Sequence, residues 1–339
     1  MAVSLTLPDL CIILCTVSLP LVLSCILYLL ARSPSVSQII LADRELPLVP
    51  LAVSLSVSSI IAMMSEDILT FSSMLISSCV AMAIMPNLVL PVVYHMQVTS
   101  VYEYLELRYN SSLLRRVVSL CVLVTSQMFL VLMVSRLCDG IADSIGVSRV
   151  YPYIVMGASI AIPCSGVLAI VWSSLWQTIV VIAAIATLLS TNNSQSVITT
   201  MAMAAAMPDS DDIVHTMAPM AGQVILWSAI YGCHQAYTVR YCSARSILQA
   251  RLAIGISIVV TMVISVGAML AGMVIRDMLG HSLVRGKMAE QSEEDSEELE
   301  TGLAGVIVSA VAAAVISTFS SVTLSLAASV WEDFLYQSR

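Results

Sequence analysis

Charge is what this sequence has least of. Of its 339 residues only 11% are charged, 22 acidic and 14 basic, and Lys287 is the single lysine. Soluble domains carry about 25% charged residues, so a water-facing surface for a chain of this length cannot be built from them. The net charge of −8 and the want of any basic stripe exclude phosphate tracking, and nucleic acid with it. No CxxC pair occurs among the nine cysteines, which removes a zinc or disulfide framework. Most of these cysteines fall inside apolar runs and read as buried, inert thiols. The signatures HExxH, GxSxG, GxGxxG and the P-loop are all missing. The four histidines (His95, His215, His234, His281) lie far apart in the chain. Nothing here reads as an enzyme.

What is present is apolar: 59% of the residues are hydrophobic and the mean hydropathy is +0.96. Disorder requires a poverty of aliphatic side chains, so the remaining class is an all-α polytopic membrane protein. A span needs about 20 mostly apolar residues. The apolar stretches fall at 7–30, 48–64, 68–93, 113–134, 151–167, 168–189, 223–237, 252–275 and 302–330, nine spans in one transmembrane domain. Three of them (48–64, 151–167, 223–237) are short for the bilayer. Short spans are either helices broken beside a cavity or tilted neighbours.

Orientation follows from the basic residues. With the N-terminus outside, nine arginines fall inside (Arg32, Arg44, Arg108, Arg115, Arg116, Arg240, Arg245, Arg251, Arg339) and five basic residues outside (Arg136, Arg149, Arg276, Arg285, Lys287). The acidic run Glu290–Glu300 then lies in an extracellular loop, 277–301, and reads as a solvated tract rather than a cation site. Asn192-Asn193-Ser194, a glycosylation acceptor pattern, is outside as well. No Lys or Arg falls well inside a predicted span.

On the last span, Ala314, Ser317, Thr318, Ser321 and Ser325 share one helix face, within about 100° of one another. Such a stripe either packs closely, each hydroxyl bonded to its own helix, or helps coordinate a hard monovalent cation where a neighbouring helix opens. Ser54, Ser56, Ser58 and Ser59 precede Glu66 and Asp67 in the first short span, a hydroxyl-rich run that suits an interrupted helix. The carboxylates are expensive at mid-membrane and fit the turn between spans.

The most distinctive text is Pro91-Val-Val-Tyr-His-Met-Gln-Val-Thr-Ser-Val-Tyr-Glu-Tyr-Leu-Glu-Leu-Arg-Tyr-Asn110, an amphipathic, aromatic-rich segment suited to the membrane interface. It resembles the "PVFYRLGITSxYEYLELRFN" stretch of the sodium/solute symporter family, in the branch of monocarboxylate, multivitamin and iodide transporters. Three further stretches agree in order. Val167-Leu-Ala-Ile-Val-Trp-Ser-Ser-Leu-Trp-Gln177 resembles "GGLKAVVWTDxxQ", and Tyr231-Gly-Cys-His-Gln-Ala-Tyr-Thr-Val-Arg-Tyr-Cys-Ser-Ala-Arg-Ser246 resembles "YGVNQxxxQRYxSxRS". Ser317-Thr-Phe-Ser-Ser through Trp331-Glu-Asp-Phe334 resembles "LSTVAASxNxLxxVTFEDF".

The resemblance implies an inverted-repeat (LeuT-like) helix bundle, with Na+ and solute near the bilayer midplane. It implies sodium at the carbonyls of Val57, Ile60 and Ala314 and the hydroxyls of Ser317 and Thr318. Solute contacts would come from Met64, Ser65, Trp227 and Tyr231. Departures accompany the matches. Several residues of the family pattern are absent between Met64 and Ser65, His234 stands where the family has Asn, and Leu168 precedes Ala169 where it has a basic residue. The chain stops after the eighth core helix, so the second repeat is expected to be incomplete.

The implied activity is sodium-coupled symport of a small organic anion or vitamin (monocarboxylate, biotin/pantothenate or iodide class) in the plasma membrane. The alternatives are a shortened, non-transporting relative whose bundle a protein partner completes, and a passive channel. An anion would be held by helix ends, hydroxyls and the sodium itself.

Overall fold

The computed structural model describes residues 7–30, 35–60, 68–96, 99–145, 148, 150–191, 210–289 and 303–336. Its helices are α1 (Leu7–Leu30), α2 (Val36–Leu41), α3 (Leu48–Ile60), α4 (Ile68–Met96), α5 (Glu103–Tyr109), α6 (Ser112–Ile145) and α7 (Val150–Ala158). They continue with α8 (Ala161–Cys164), α9 (Val167–Thr191), α10 (Ser210–Cys233), α11 (Gln235–Cys242), α12 (Ile247–Ala289) and α13 (Leu303–Val330), which runs into a π-helical turn at Trp331–Leu335. Six spans are long and apolar enough to cross a membrane: Pro8–Leu30, Phe71–Met96, Ser112–Ala142, Val167–Ser190, Ile247–Val274 and Gly305–Leu335.

Lipid tails are as apolar as leucine, so burying apolar surface does little to drive these helices together. Small residues and hydrogen bonds do it instead. α13 shows this best: 67% of its span is buried, against 17% for α1 and for α6. Its buried residues include Ala312, Ala313, Ala314, Ser317, Ser320, Ser321, Ser325 and Ala328, which let α1, α3, α6, α9 and α11 approach closely. α3 packs on α9, α12 and α13, and α4 on α10 and α12. The outer faces of α1 and α6 leave large apolar side chains such as Leu14, Leu29 and Met128 exposed.

Local chemistry fixes the corners. Ser35 and Gln38 form a reciprocal capping box on α2, Gln38 N donating to Ser35 Oγ at 3.2 Å and Ser35 N to Gln38 Oε1 at 3.1 Å. Ala42, Asp43 and Arg44 then turn the chain through three successive positive-φ residues, a costly conformation for side chains with a Cβ. Beyond them Leu46 N donates to Ser243 O at 3.2 Å, which ties the start of α3 to the end of α11. Gly166, at φ +91°, separates α8 from α9, and a Cβ there would lie 2.8 Å from the Ile39 carbonyl oxygen. Asp9 of α1 accepts a hydrogen bond from Gly305 N at 2.8 Å, a carboxylate at the start of α13.

Several expected bounds differ. The stretch 223–237 crosses a break: α10 ends at Cys233 and α11 begins at Gln235. Apolar periodicity runs straight through because the extended residue between them, His234, has its ring nitrogen Nδ1 satisfy the next helix start, accepting from Ala236 N at 3.2 Å. The stretch 151–167 is two short helices ended by Gly166. α6 runs on to Ile145 and α12 to Ala289, so residues 277–289 of the expected acidic loop are helical. Charges at a span's end mark the membrane boundary and not the end of the helix. The rest of that loop, like 192–209 with its acceptor pattern, lies outside the described residues. The thiols also differ from expectation. Only Cys138 and Cys242 are buried, whereas Cys11, Cys15, Cys25, Cys121, Cys164 and Cys233 are exposed. In a membrane protein an apolar run is no sign of facing inward.

Candidate ion and solute site

The hydroxyl stripe of α13 is buried along its length: Ser317, Thr318, Ser321 and Ser325 are all within the bundle. Most of these hydroxyls are tied to their own helix. Thr318 Oγ1 donates to Ala314 O at 3.2 Å, Ser321 Oγ to Ser317 O at 2.8 Å, and Ser325 Oγ to Val322 O at 2.7 Å. Ser317 differs, for its Oγ lies 2.9 Å from Ser174 Oγ on α9. Self-bonded hydroxyls keep their lone pairs, so close packing and ion coordination are compatible on this face.

Gln177 lies one turn after Ser174 on α9 and is wholly buried, yet neither its amide oxygen nor its nitrogen has a hydrogen-bond partner among the described residues. Val181, a turn further on, clusters with Ala313 and Ala314 of α13 and Ile264 of α12. The amide therefore sits between the Ser174–Ser317 pair and that cluster, at the level of the Ala314 carbonyl. Thr261 of α12, next in sequence to Val260 of the same cluster, is buried with its hydroxyl also unpartnered among the described residues. A buried polar group left unmade costs roughly 1–3 kcal/mol, so a wholly buried amide with neither atom met, beside a pair of buried hydroxyls, marks a place where something else can bind. The surrounding donors are neutral oxygens, the set suited to a hard monovalent cation rather than a transition metal. Among the described residues no group of three His, Cys, Asp or Glu could hold a metal.

Val57 and Ile60, expected to act through their carbonyls, fall in the last turn of α3, which packs on α9, α12 and α13. One turn earlier Ser56 Oγ donates to Ala52 O at 3.0 Å and to Ser257 O of α12 at 3.1 Å. Of the expected solute contacts, Trp227 and Tyr231 are brought together at the end of α10. Both are buried, and their rings stack at 5.5 Å with an 18° interplanar angle. Tyr237 of α11 meets Tyr231 edge-on at 5.0 Å. Met64 and Ser65 lie outside the described residues. In the break itself, the other ring nitrogen of His234, Nε2, is 3.0 Å from Ser126 Oγ of α6.

Sequence reasoning missed one residue outright. Arg240, assigned to an inside loop, is instead fully buried in α11. Its Nη1 donates to the carbonyl oxygen of Ser54 on α3 and to Ser54 Oγ at 3.1 Å, and its Nε to Ala236 O at 3.0 Å. Its guanidinium also lies over the Tyr237 ring at 5.3 Å. No hydropathy signal could have found it, because α11 is short and polar; only the break before it hinted at a half-helix turned inward.

Arg115 is buried too. Its Nε donates to Asp333 Oδ1 at 2.7 Å and its Nη1 to Glu106 Oε2 at 2.9 Å, while Ser119 Oγ donates to Asp333 Oδ2 at 2.7 Å. This knot joins α5, α6 and the turn after α13. Burial beside it raises the Glu103 carboxyl above its ordinary pKa, with Arg115 pulling the other way.

No family model matches the chain. It is 25% identical over 340 residues to a putative sodium-dependent multivitamin transporter of Drosophila melanogaster, an alignment covering 90% of this chain and 55% of that one. It is 23% identical over 340 residues to sodium-coupled monocarboxylate transporter 1 of Xenopus laevis, covering 87% and 52%. The chain spans about half the length of the curated relatives it matches. Among solved structures, a Na+-coupled sialic acid symporter in a substrate-bound outward-open state superposes with a TM-score of 0.79, covering 98% of this chain and 76% of that one at 16% identity. The resemblance carried by the four motifs is borne out, and so is the inverted-repeat (LeuT-like) fold. These similar proteins are transporters, not enzymes.

Proposed function

We propose that this chain carries out sodium-coupled symport of a small organic anion or vitamin, of the monocarboxylate, biotin/pantothenate or iodide class, by alternating access across the plasma membrane. The observation that carries this reading is the buried oxygen cluster: Ser317 against Ser174, Thr318 on the Ala314 carbonyl, and the unpartnered amide of Gln177 at the same level. The relatives' sodium dependence supports it.

Sodium would be held by Ser317, Thr318 and the carbonyls of Ala314, Val57 and Ile60, with Gln177 Oε1 completing the shell. The solute would lie against Trp227 and Tyr231, at the α10–α11 break, and beside Met64 and Ser65. The sodium ligands Val57 and Ile60 and the solute contacts Met64 and Ser65 lie within one short stretch of the sequence, so ordering that stretch for one ligand would favour the other, and the coupling would be reciprocal. In this reading the N-terminus would lie outside and the whole chain would form a single transmembrane domain.

Uptake by proteoliposomes of labelled monocarboxylates, pantothenate, biotin and iodide tests the reading, with sodium replaced by choline as control. Sodium-dependent uptake of one of them is expected, and Ser317→Ala with Thr318→Ala should weaken the sodium dependence while the protein still folds. Unchanged sodium dependence in that double variant would show the site assignment to be wrong. No uptake from monodisperse protein would favour a partner-dependent relative instead.

A further inference from the structure

The stretch between α4 and α6 is tied down at both ends, and the two ties lead to different parts of the site. At one end is Gln235, the buried first residue of α11 beside the break, which grips the backbone with both halves of its amide. Val101 N donates to Gln235 Oε1 at 2.9 Å, and Gln235 Nε2 donates to Thr99 O at 2.6 Å. At the other end Glu106 of α5 meets Arg115 Nη1 at 2.9 Å. Arg115 in turn holds the foot of α13, through Asp333 and through a hydrogen bond to Glu332 O at 3.0 Å. Between the ties the backbone is continuous. Glu103 N donates to Ser100 O at 3.2 Å, Tyr104 N to Val101 O at 3.3 Å and Leu105 N to Tyr102 O at 3.1 Å, which carries the turn 99–102 into α5.

We propose that residues 99–109 form a strap that gates the inner mouth of the bundle, latched by Gln235 to the solute break and through Arg115 to the sodium helix, and able to lift only when both latches release. The gate belongs to the alternating-access cycle proposed above, so the inference rests on that reading. Three observations support it. First, the strap borders a gap of about 160 Å3 of empty space, lined by its own Thr99 and Val101 and by Thr238, Val239 and Cys242 of α11, among others. Second, Val239 also borders a gap of about 250 Å3 between α9, α11 and α13. Close-packed interiors leave few such voids, so α11 is loosely packed on two sides and held at its start by the strap. Third, the closed strap is not fully satisfied. Tyr102 is buried with its hydroxyl unpartnered among the described residues, a cost that works against closure, and Glu106 is half-exposed, so water can replace its ion pair cheaply.

The two latches answer to different ligands. A solute that draws in the α10–α11 break moves Gln235 and, with it, Thr99 and Val101. Departure of sodium frees α13 to tilt and shifts Asp333 and Arg115. Either movement alone leaves the other latch closed.

Cys242 reports the gap, because it is buried, carries a free thiol and lines the space beside the strap. Cys138, buried near the far end of α6, is the control for the rest of the bundle. The test is the rate at which N-ethylmaleimide alkylates each of them, followed by peptide mass spectrometry on the purified full chain in detergent, with choline or with sodium. Gln235→Leu opens one latch. Glu106→Ala opens the other, and Glu106 is not among the residues lining the gap. Labelling of Cys242 should rise about tenfold in Gln235→Leu, which loses two hydrogen bonds, and about threefold in Glu106→Ala, which loses a half-exposed ion pair. The double variant should show roughly the product of the two. Cys138 should label as slowly as in wild type throughout.

The proposal is overturned if Glu106→Ala, monodisperse, leaves Cys242 labelling at the wild-type rate. It is overturned equally if Cys138 speeds up in step with Cys242, the mark of a bundle loosened throughout. Should Gln235→Leu not fold, Glu106→Ala decides alone. Sodium separates the two readings. It should slow Cys242 labelling in wild type, by holding α13 against α3, and protect Glu106→Ala less; equal protection overturns the latch to the sodium helix. If sodium changes nothing in any sample while both variants still expose Cys242, the sodium site fails and the strap stands. If sodium protects Cys242 in wild type and both variants label as wild type does, the strap fails alone.

Discussion

Replacing Gln177 by Leu separates a structural amide from an ion ligand, because the two roles predict opposite signs. Gln177 is wholly buried with neither amide atom partnered among the described residues. In sodium-free buffer the wild-type amide bears an unmet desolvation cost of roughly 1–3 kcal/mol. Leucine has a similar shape and no polar atoms, so Gln177→Leu should be more stable than wild type by about that amount. Sodium reverses the order. A ligand that binds only the folded state stabilises it by RT ln(1 + [L]/Kd), about 2.7 kcal/mol at a hundredfold excess over Kd. Wild type should gain this increment, and the variant, short of one oxygen in the shell, should gain little. The assay is unfolding in mixed micelles of rising SDS content, followed by circular dichroism, with sodium against N-methyl-D-glucamine. If Gln177→Leu is less stable than wild type without sodium, the amide is not an orphan. If both proteins gain equally from sodium, it is not a ligand. Either result refutes the reasoning.

Other perturbations give expected outcomes by the same titration. Arg115→Leu strands the buried Asp333 carboxylate and should cost about 3–5 kcal/mol, whereas Arg115→Leu with Asp333→Leu should cost less than Arg115→Leu alone; a double loss equal to the sum of the two single losses would show that the two do not interact. Gly166→Ala must adopt φ +91° with its Cβ 2.8 Å from the Ile39 carbonyl oxygen, so a loss above about 1 kcal/mol is expected, and a neutral result would place the turn elsewhere. Asp9→Ala removes the carboxylate from Gly305 N and should cost about 1 kcal/mol. A loss within error would mean that this hydrogen bond contributes little to holding α1 against α13.

The candidate site was partly legible in the sequence. Ala314, Ser317 and Thr318 could be placed on one face because helical periodicity is local and α13 is unbroken. Trp227 and Tyr231 were reached only through the resemblance, and their stacking on each other was not read from the sequence. Gln177 was quoted within a motif without a role, since nothing in a linear text says that an amide has no partner. Arg240 was misplaced because a polar eight-residue half-helix has the composition of a loop, and its burial depends on α3, α9 and α13 closing around it. His234 marked a departure from the family pattern, but its service to both α11 and Ser126 depends on a helix more than a hundred residues away.

By itself, then, the sequence determined the solvent and the class of fold. Charge this scarce cannot cover a water-soluble surface, and runs of this length and hydropathy satisfy their backbone in lipid as helices. It also determined which residues share a helix face, since that follows from 100° per residue and nothing else. The tertiary structure decided which of those faces look inward. In lipid both inner and outer faces are apolar, so hydropathy does not distinguish Cys138, buried, from Cys121, exposed. Only the packing of α9 against α13 sets Ser174 on Ser317 and leaves Gln177 at their side, and only the closure of α3 over α11 encloses Arg240.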